Sequence, residues 1–263
     1  MSGPIGLHGG GEYLPGDEPF LEMLLAAAGR AARTRATAAR PALDVEAHAF
    51  AAVEPIRVVV VPTAAGRGLP DRAASAGVHA FEARAAAAGV AVQVEVARVV
   101  DAASAADPEL AARLADADLI HLPGGDPDLV PGVLAASPAL DAMHRAWERG
   151  AVVAGASAGA MGLAEWTWTP KGGMHGLGFV QGLAVVPHYA DIRKISWQQV
   201  IDRLAPGGIG YLGLDERTGV LAESNGSGER RWTVAGPGAA WWFARGADEP
   251  VVARSGEVLR LPV

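Results

Sequence analysis

The run Ala151-Val152-Val153-Ala154-Gly155-Ala156-Ser157-Ala158-Gly159-Ala160-Met161 constrains this chain more than any other stretch. Four small apolar residues read as a buried strand. Gly155-Ala156-Ser157-Ala158-Gly159 then completes a G-x-S-x-G pattern, and the small residues after it can start a helix. Strand, sharp turn and helix in that order lift a serine hydroxyl above the end of a sheet. The flanking glycines suit a strained turn in which a Cβ would strike its neighbours. The helix start brings unpaired N–H groups to the place where an oxyanion would develop.

The rest of the chain supplies a sheet for that turn. Pro4 to His8 reads as a short strand ending in the flexible turn Gly9-Gly10-Gly11-Glu12. Residues 18 to 39 carry a helical stripe of Phe20, Leu21, Leu24, Leu25 and Ala28. Residues 30 to 55 are rich in Ala and Arg, break at Pro41, and read as a helix end and a loose connection. Arg57 to Val61 is apolar after its first residue, as a parallel strand covered on both faces would be. Helix over 71–88, strand over 90–96, helix over 108–114 and strand over 118–122 follow. Pro123-Gly124-Gly125-Asp126 is a tight turn at the last strand's carboxyl end, and helical segments near 127–135 and 138–149 lead to the serine turn. Such alternation over about 165 residues predicts an α/β fold with a doubly wound, mostly parallel sheet flanked by helices.

After residue 165 the pattern changes. Trp166-Thr167-Trp168 and Lys171-Gly172-Gly173 read as a hairpin or loop, 183–186 as a strand and 193–204 as a helix. From 211 onward short strands and turns dominate, with Asn225-Gly226 a good hairpin turn, so antiparallel strands are expected toward the C-terminus. Trp232, Trp241 and Trp242 read as sheet packing. With no repeat and no composition break, residues 1–263 are expected to form a single domain.

Composition narrows the chemistry. No Cys is present, which excludes disulfides, thiolate metal sites and a cysteine nucleophile. A net charge of −7 offers no basic surface to nucleic acid or an acidic membrane. Met1-Ser2-Gly3-Pro4 lacks a basic region followed by an apolar run, and no apolar run reaches bilayer length, so a soluble cytoplasmic protein, monomer or homodimer, is expected.

In open parallel sheets, sites lie beyond the carboxyl ends of the strands. His8, His121, Asp126, Ser157, His188, Asp215 and Glu216 all fall at such ends. A serine nucleophile needs a base and a carboxylate to orient that base. His188, with Glu216 or Asp215, are the natural partners, although a loop histidine and a surface carboxylate would look the same in sequence. An α/β-hydrolase esterase would use His8-Gly9-Gly10-Gly11 as an oxyanion loop. Its order is serine, acid, histidine, and the only carboxylate between Ser157 and His188 is Glu165, too near the turn to serve. A silent binding protein on the same fold is the other alternative. His8, His121 and His188 match no ligand-spacing motif, so no metal is expected, and no organic cofactor.

Four ordered motifs carry a resemblance. Pro123-Gly124-Gly125-Asp126, Gly155-Ala156-Ser157-Ala158-Gly159-Ala160, Gly176-Leu177-Gly178-Phe179-Val180-Gln181-Gly182 leading to Pro187-His188, and Gly213-Leu214-Asp215-Glu216-Arg217-Thr218 resemble the aspartyl dipeptidase and cyanophycinase family of serine peptidases. The resemblance implies a fold like class I glutamine amidotransferase domains, with Ser157 where those enzymes carry Cys. It implies Ser157 as nucleophile, His188 as general base and Glu216 as its orienting acid. Gly125 and Ala158 would supply the oxyanion-hole N–H groups. It implies cleavage of an amide bond in a short or aspartyl-containing peptide through an acyl-enzyme. The turn after the double glycine often carries Gln or Asn in that family. Here it runs Asp126-Pro127-Asp128, so substrate preference does not carry over directly. Asp126 and Arg193 are the candidate substrate contacts, Arg193 for its bidentate fit to a carboxylate.

Overall fold

A computed structural model describes residues 2–38, 54–169, 171–192, 197–224 and 229–261. The connection around Pro41, His48, Arg193 and the Asn225-Gly226 turn lie outside the described residues. In chain order the first half runs β1 (Ile5–His8), α1 (Glu18–Ala38), β2 (Ile56–Val60), α2 (Pro70–Ala88), β3 (Val92–Val96), α3 (Ala102–Ala105) and α4 (Pro108–Ala115). It continues with β4 (Leu119–Leu122), α5 (Leu129–Leu134), α6 (Pro138–Glu148), β5 (Val152–Ala156) and α7 (Ala158–Leu163). Then come the hairpin β6 (Trp166–Thr169) and β7 (Gly172–His175), β8 (Leu183–Val186), α8 (Tyr189–Ile192) and α9 (Trp197–Leu204). The chain ends with β9 (Gly210–Leu214), β10 (Gly219–Ser224), β11 (Arg230–Ala235), β12 (Ala239–Phe243), β13 (Val251–Arg254) and β14 (Val258–Leu259).

Among the described residues the central sheet has the order β14-β11-β10-β1-β5-β4-β2-β3. Strands β1, β5, β4, β2 and β3 pair in parallel, and β10, β11 and β14 extend them antiparallel. The period-2 alternation of short apolar strands explains why both faces are covered. Val58, Val60, Leu119, Val152 and Ala154 pack with Phe20, Leu24 and Phe81 of α1 and α2. Val59, Ile120, Val153 and Leu122 turn the other way, toward Met143 of α6 and Leu163 of α7. Side chains cap the helices that reach the second face. Asp107 accepts from the Glu109 amide (2.8 Å) at α4, and Ser137 accepts from the Leu140 amide (3.1 Å) at α6.

The C-terminal strands divide between two sheets, a split that the sequence pattern does not announce. Strands β13-β12-β9-β8 form a separate four-stranded sheet in which β8 and β9 run parallel. Trp166, Tyr189, Tyr211 and Phe243 fill a small core on it. Trp232 and Trp242 are buried in sheet packing and Trp241 is partly buried against the small core, as expected of all three. No helix among the described residues is long and apolar enough to cross a membrane.

Beneath the carboxyl ends of β1 and β4 lies a buried polar group. His8 Nε2 is 2.8 Å from Asp17 Oδ1, and both side chains are almost wholly buried. The other Asp17 oxygen accepts from the Tyr13 amide (2.8 Å), and the Tyr13 hydroxyl is 2.9 Å from His121 Nδ1. Burial alone would raise the Asp17 carboxyl, but its contact with His8 carries it below the ordinary range. Burial pushes the Tyr13 hydroxyl well up, and the charges of Glu12 and Asp17 add to that. The same burial pushes the His121 imidazole down to about 3, the Asp17 charge opposing it only in part.

His121 therefore stays neutral in the folded protein while the unfolded chain takes up a proton below about pH 6.5. A depressed histidine leaves stability untouched above that pH and drains it as pH falls toward the folded value. Denaturant unfolding of wild type and His121→Gln from pH 7 to 4 checks this. The wild type should lose about 1.4 kcal/mol per pH unit relative to the variant below pH 6. Parallel curves would contradict a neutral buried His121.

Candidate active site

The Ser157 turn forms because two glycines let β5 and α7 fold tightly onto β4. A Cβ on Gly155 would lie 2.5 Å from the Gly159 carbonyl carbon, and one on Gly159 would lie 2.1 Å from the Leu122 carbonyl oxygen. Ser157 itself sits at φ 49° and ψ −115°, a conformation costly for any side chain bearing a Cβ. The turn is held from both sides. The Ser157 amide donates to the His8 carbonyl (2.9 Å), and the Met161 amide donates to the Ser157 carbonyl (3.0 Å).

His188 and Glu216 arrive from the second sheet. His188 follows β8 and Glu216 follows β9, and the parallel pairing of these strands brings their ends side by side. His188 Nε2 is 3.0 Å from Ser157 Oγ, and His188 Nδ1 is 2.6 Å from Glu216 Oε1. With Glu216 ionised, Nδ1 carries the proton and donates to it, which leaves Nε2 free to accept from the serine hydroxyl. The two side chains are 36% and 40% exposed, so an incoming molecule can reach the base. Asp215 points elsewhere. It accepts from the Ala239 amide (3.0 Å) and from the Trp241 indole (3.3 Å), pinning β9 to β12.

The glycine turn after β1, which the sequence reading offers only as a flexible turn or an esterase-type oxyanion loop, joins these parts. The His188 amide donates to the Gly9 carbonyl (2.7 Å) and the Arg217 amide to the Gly10 carbonyl (2.7 Å). Gly10, at φ 98°, lies flat against the imidazole, where a Cβ would come within 2.3 Å of His188 Cε1. His188 and Arg217 also take positive φ, 51° and 55°, to meet this turn. Glu12 completes it: its Oε1 accepts from the Gly124 amide at 2.7 Å. The only signal for this arrangement in the sequence is the run of three glycines before a carboxylate.

Gly125 lies between two amides that are already used, Gly124 on Glu12 and Asp126 on the Ala64 carbonyl (2.7 Å). Ala158 is the first residue of α7, where a helix leaves its N–H without an internal partner. A cavity of about 560 Å³ opens at Gly125 and is also lined by Glu12, Asp126, Arg67 and Arg72. The Asp126 carboxylate is held within the protein, ion-paired to Arg67 and accepting from the Asp128 amide (3.0 Å). Lys171 bonds Asp128 at 2.8 Å and holds that carboxyl below its usual range. Arg72 has no ion pair among the described residues. Neither Trp166 nor Trp168 lines the cavity. No group of three or more His, Asp or Glu side chains among the described residues is arranged to hold a metal ion.

A family model, that of peptidase family S51, matches residues 24–226. The solved structure of a peptidase from an acI-B1 actinobacterium is 25% identical, with a TM-score of 0.76, over 99% of this chain and 98% of that one. A candidate peptidase E protein from Listeria monocytogenes EGD-e is 13% identical, with a TM-score of 0.50, over 97% of this chain and 99% of that one. At that identity the likeness is one of fold. No curated protein matches the chain.

The Gly10 contact generates a prediction. Gly10→Ala must push the imidazole away and strain a left-handed backbone position. Hydrolytic turnover should fall on the order of 100-fold, as a displacement of about 1 Å does, while circular dichroism stays native. Unchanged turnover would mean that the glycine turn does not set the position of His188.

Proposed function

The chain belongs to peptidase family S51, and from that premise we propose that it hydrolyses an amide bond of a short peptide with Ser157 as nucleophile. The observation that carries the reading is the continuous chain from Ser157 Oγ through His188 to Glu216, with contacts of 3.0 and 2.6 Å. In this mechanism Ser157 Oγ attacks the substrate carbonyl carbon while His188 Nε2 takes the hydroxyl proton. The C–N bond then breaks and the same proton goes to the departing amine, leaving an acyl-enzyme. Water attacks the ester with His188 again as base, and the carboxylic acid leaves as Ser157 regains its proton. Glu216 holds the imidazole in the Nδ1–H tautomer and stabilises it while it is charged.

The Gly125 and Ala158 amides are proposed to hold the oxyanion. The support is their position: one lies in the turn after β4 and the other at the first residue after the nucleophile. The substrate is proposed to carry a carboxylate, as the resemblance to aspartyl dipeptidases and cyanophycinases implies. In a protein of net charge −7 such a group needs a local cation. Arg193 stays a candidate from the sequence, and the cavity wall adds Arg72 and, by exchange of its Asp126 partner, Arg67.

The two adjacent carboxylates separate this mechanism from a looser one. On aspartyl dipeptides, Glu216→Gln should lower kcat by on the order of 10³-fold or more through loss of the imidazolium's partner. Asp215→Asn should act mainly on stability, because Asp215 bonds β12 and not the histidine. Steady-state kinetics and thermal unfolding of both variants check this. Equal or reversed kcat losses would assign the wrong carboxylate.

A further inference from the structure

His8 and Asp17 take no part in the reaction just described, yet they form a second imidazole held between a carboxylate and another group. His8 Nε2 is 2.8 Å from Asp17 Oδ1, and both side chains are almost wholly buried. Neither atom has another hydrogen-bond partner among the described residues. The other Asp17 oxygen is taken by the Tyr13 amide at 2.8 Å. On the far side of the ring, His8 Nδ1 accepts from the Gly10 amide at 3.2 Å. The plane of the ring lies against Phe20, with centroids 5.0 Å apart.

These contacts decide which nitrogen of His8 carries the proton. A bare Nε2 would turn its lone pair on a carboxylate. An Nδ1 proton, in the other tautomer or the charged ring, would meet the Gly10 N–H. The neutral ring with its proton on Nε2 suits both sides, so Asp17 keeps Nδ1 free to accept. What Nδ1 accepts matters, because the Gly10 N–H and the Gly9 carbonyl belong to one peptide unit and point opposite ways. That carbonyl accepts the His188 amide at 2.7 Å. One peptide plane is thus clamped between two histidines, and the glycines on either side leave it otherwise free to rotate. We propose that His8 is a positioning residue for His188, and that Asp17 makes it one by fixing its tautomer. The pair holds the Gly9–Gly10 peptide in the orientation that seats the His188 backbone and lays Gly10 against the imidazole. His8 also meets the nucleophile, since its carbonyl accepts the Ser157 amide at 2.9 Å. The effect on rate rests on the hydrolase reading above, while the geometry can be measured in the resting protein.

Protein labelled with nitrogen-15 at its seven histidines reports each tautomer through long-range proton–nitrogen NMR correlations, with His8 assigned through its backbone. Near neutral pH, wild-type His8 should be uncharged and protonated at Nε2. An Nδ1–H or doubly protonated His8 would overturn the inference before any variant is made. In Asp17→Asn the one amide oxygen must serve the Tyr13 N–H, which turns the amide N–H toward His8 Nε2 and drives the ring proton to Nδ1. His8 should then report the Nδ1–H tautomer, and fluorophosphonate labelling of Ser157 should slow at least about tenfold through displacement of His188. An unchanged tautomer, or a changed tautomer with an unchanged rate, would overturn the inference. His8→Phe keeps a ring against Phe20 but offers no acceptor, and His8→Asn keeps a side-chain oxygen for the Gly10 amide. Labelling should be at least about tenfold faster in His8→Asn than in His8→Phe, and equal rates would contradict the positioning role. If wild type takes no label, the hydrolase reading falls. The positioning claim is then judged by the proton signal of His188 Nδ1–H on Glu216, which should shift in Asp17→Asn and whose constancy would overturn it.

Discussion

The backbone of the glycine turn after β1 is the constraint on which the site depends. The His8 carbonyl takes the Ser157 amide, the Gly9 carbonyl takes the His188 amide, and the Gly10 carbonyl takes the Arg217 amide next to Glu216. Glu12 takes the Gly124 amide beside the proposed oxyanion turn. One short segment therefore fixes the separation of four loops that come from two sheets. It can do so because Gly10 presents no side chain to the imidazole it supports. The buried His8, Asp17, Tyr13 and His121 group lies under the segment and ties its two ends together.

Strain is distributed around that segment. Ser157, His188 and Arg217 all adopt positive φ, and none of them is glycine. Each costs on the order of 1–3 kcal/mol, which the surrounding hydrogen bonds and the packed sheet must offset. The return is geometric: the serine hydroxyl and the imidazole are carried on short side chains, and the imidazole bridges the hydroxyl to the Glu216 carboxylate. A site held in this way has little to reorganise when substrate arrives, which is what electrostatic stabilisation of a transition state requires.

Much of this was legible in the chain. The serine turn could be read because a G-x-S-x-G run after an apolar strand needs its glycines for packing, and Gly155 and Gly159 do lie against backbone. The parallel sheet followed from strands such as Val58-Val59-Val60, apolar on both faces. Which sheet each later strand joins was not legible, because β8 and β9 are as short and apolar as β1 and β5 and pairing depends on distant partners. Placing His188 and Glu216 side by side needed motif order, since only the β8–β9 pairing joins them. The roles of Gly10 and Glu12 stayed hidden for the same reason: Glu12 meets a partner 112 residues away, and no local pattern encodes that.

The proposed mechanism requires Ser157 to be a nucleophile activated by His188. Treating the protein with a fluorophosphonate and mapping the adduct by mass spectrometry tests this without knowledge of the substrate. One adduct is expected, on Ser157, formed at least about 100-fold more slowly in His188→Ala. An adduct on another residue, no adduct, or a rate indifferent to His188 would contradict it.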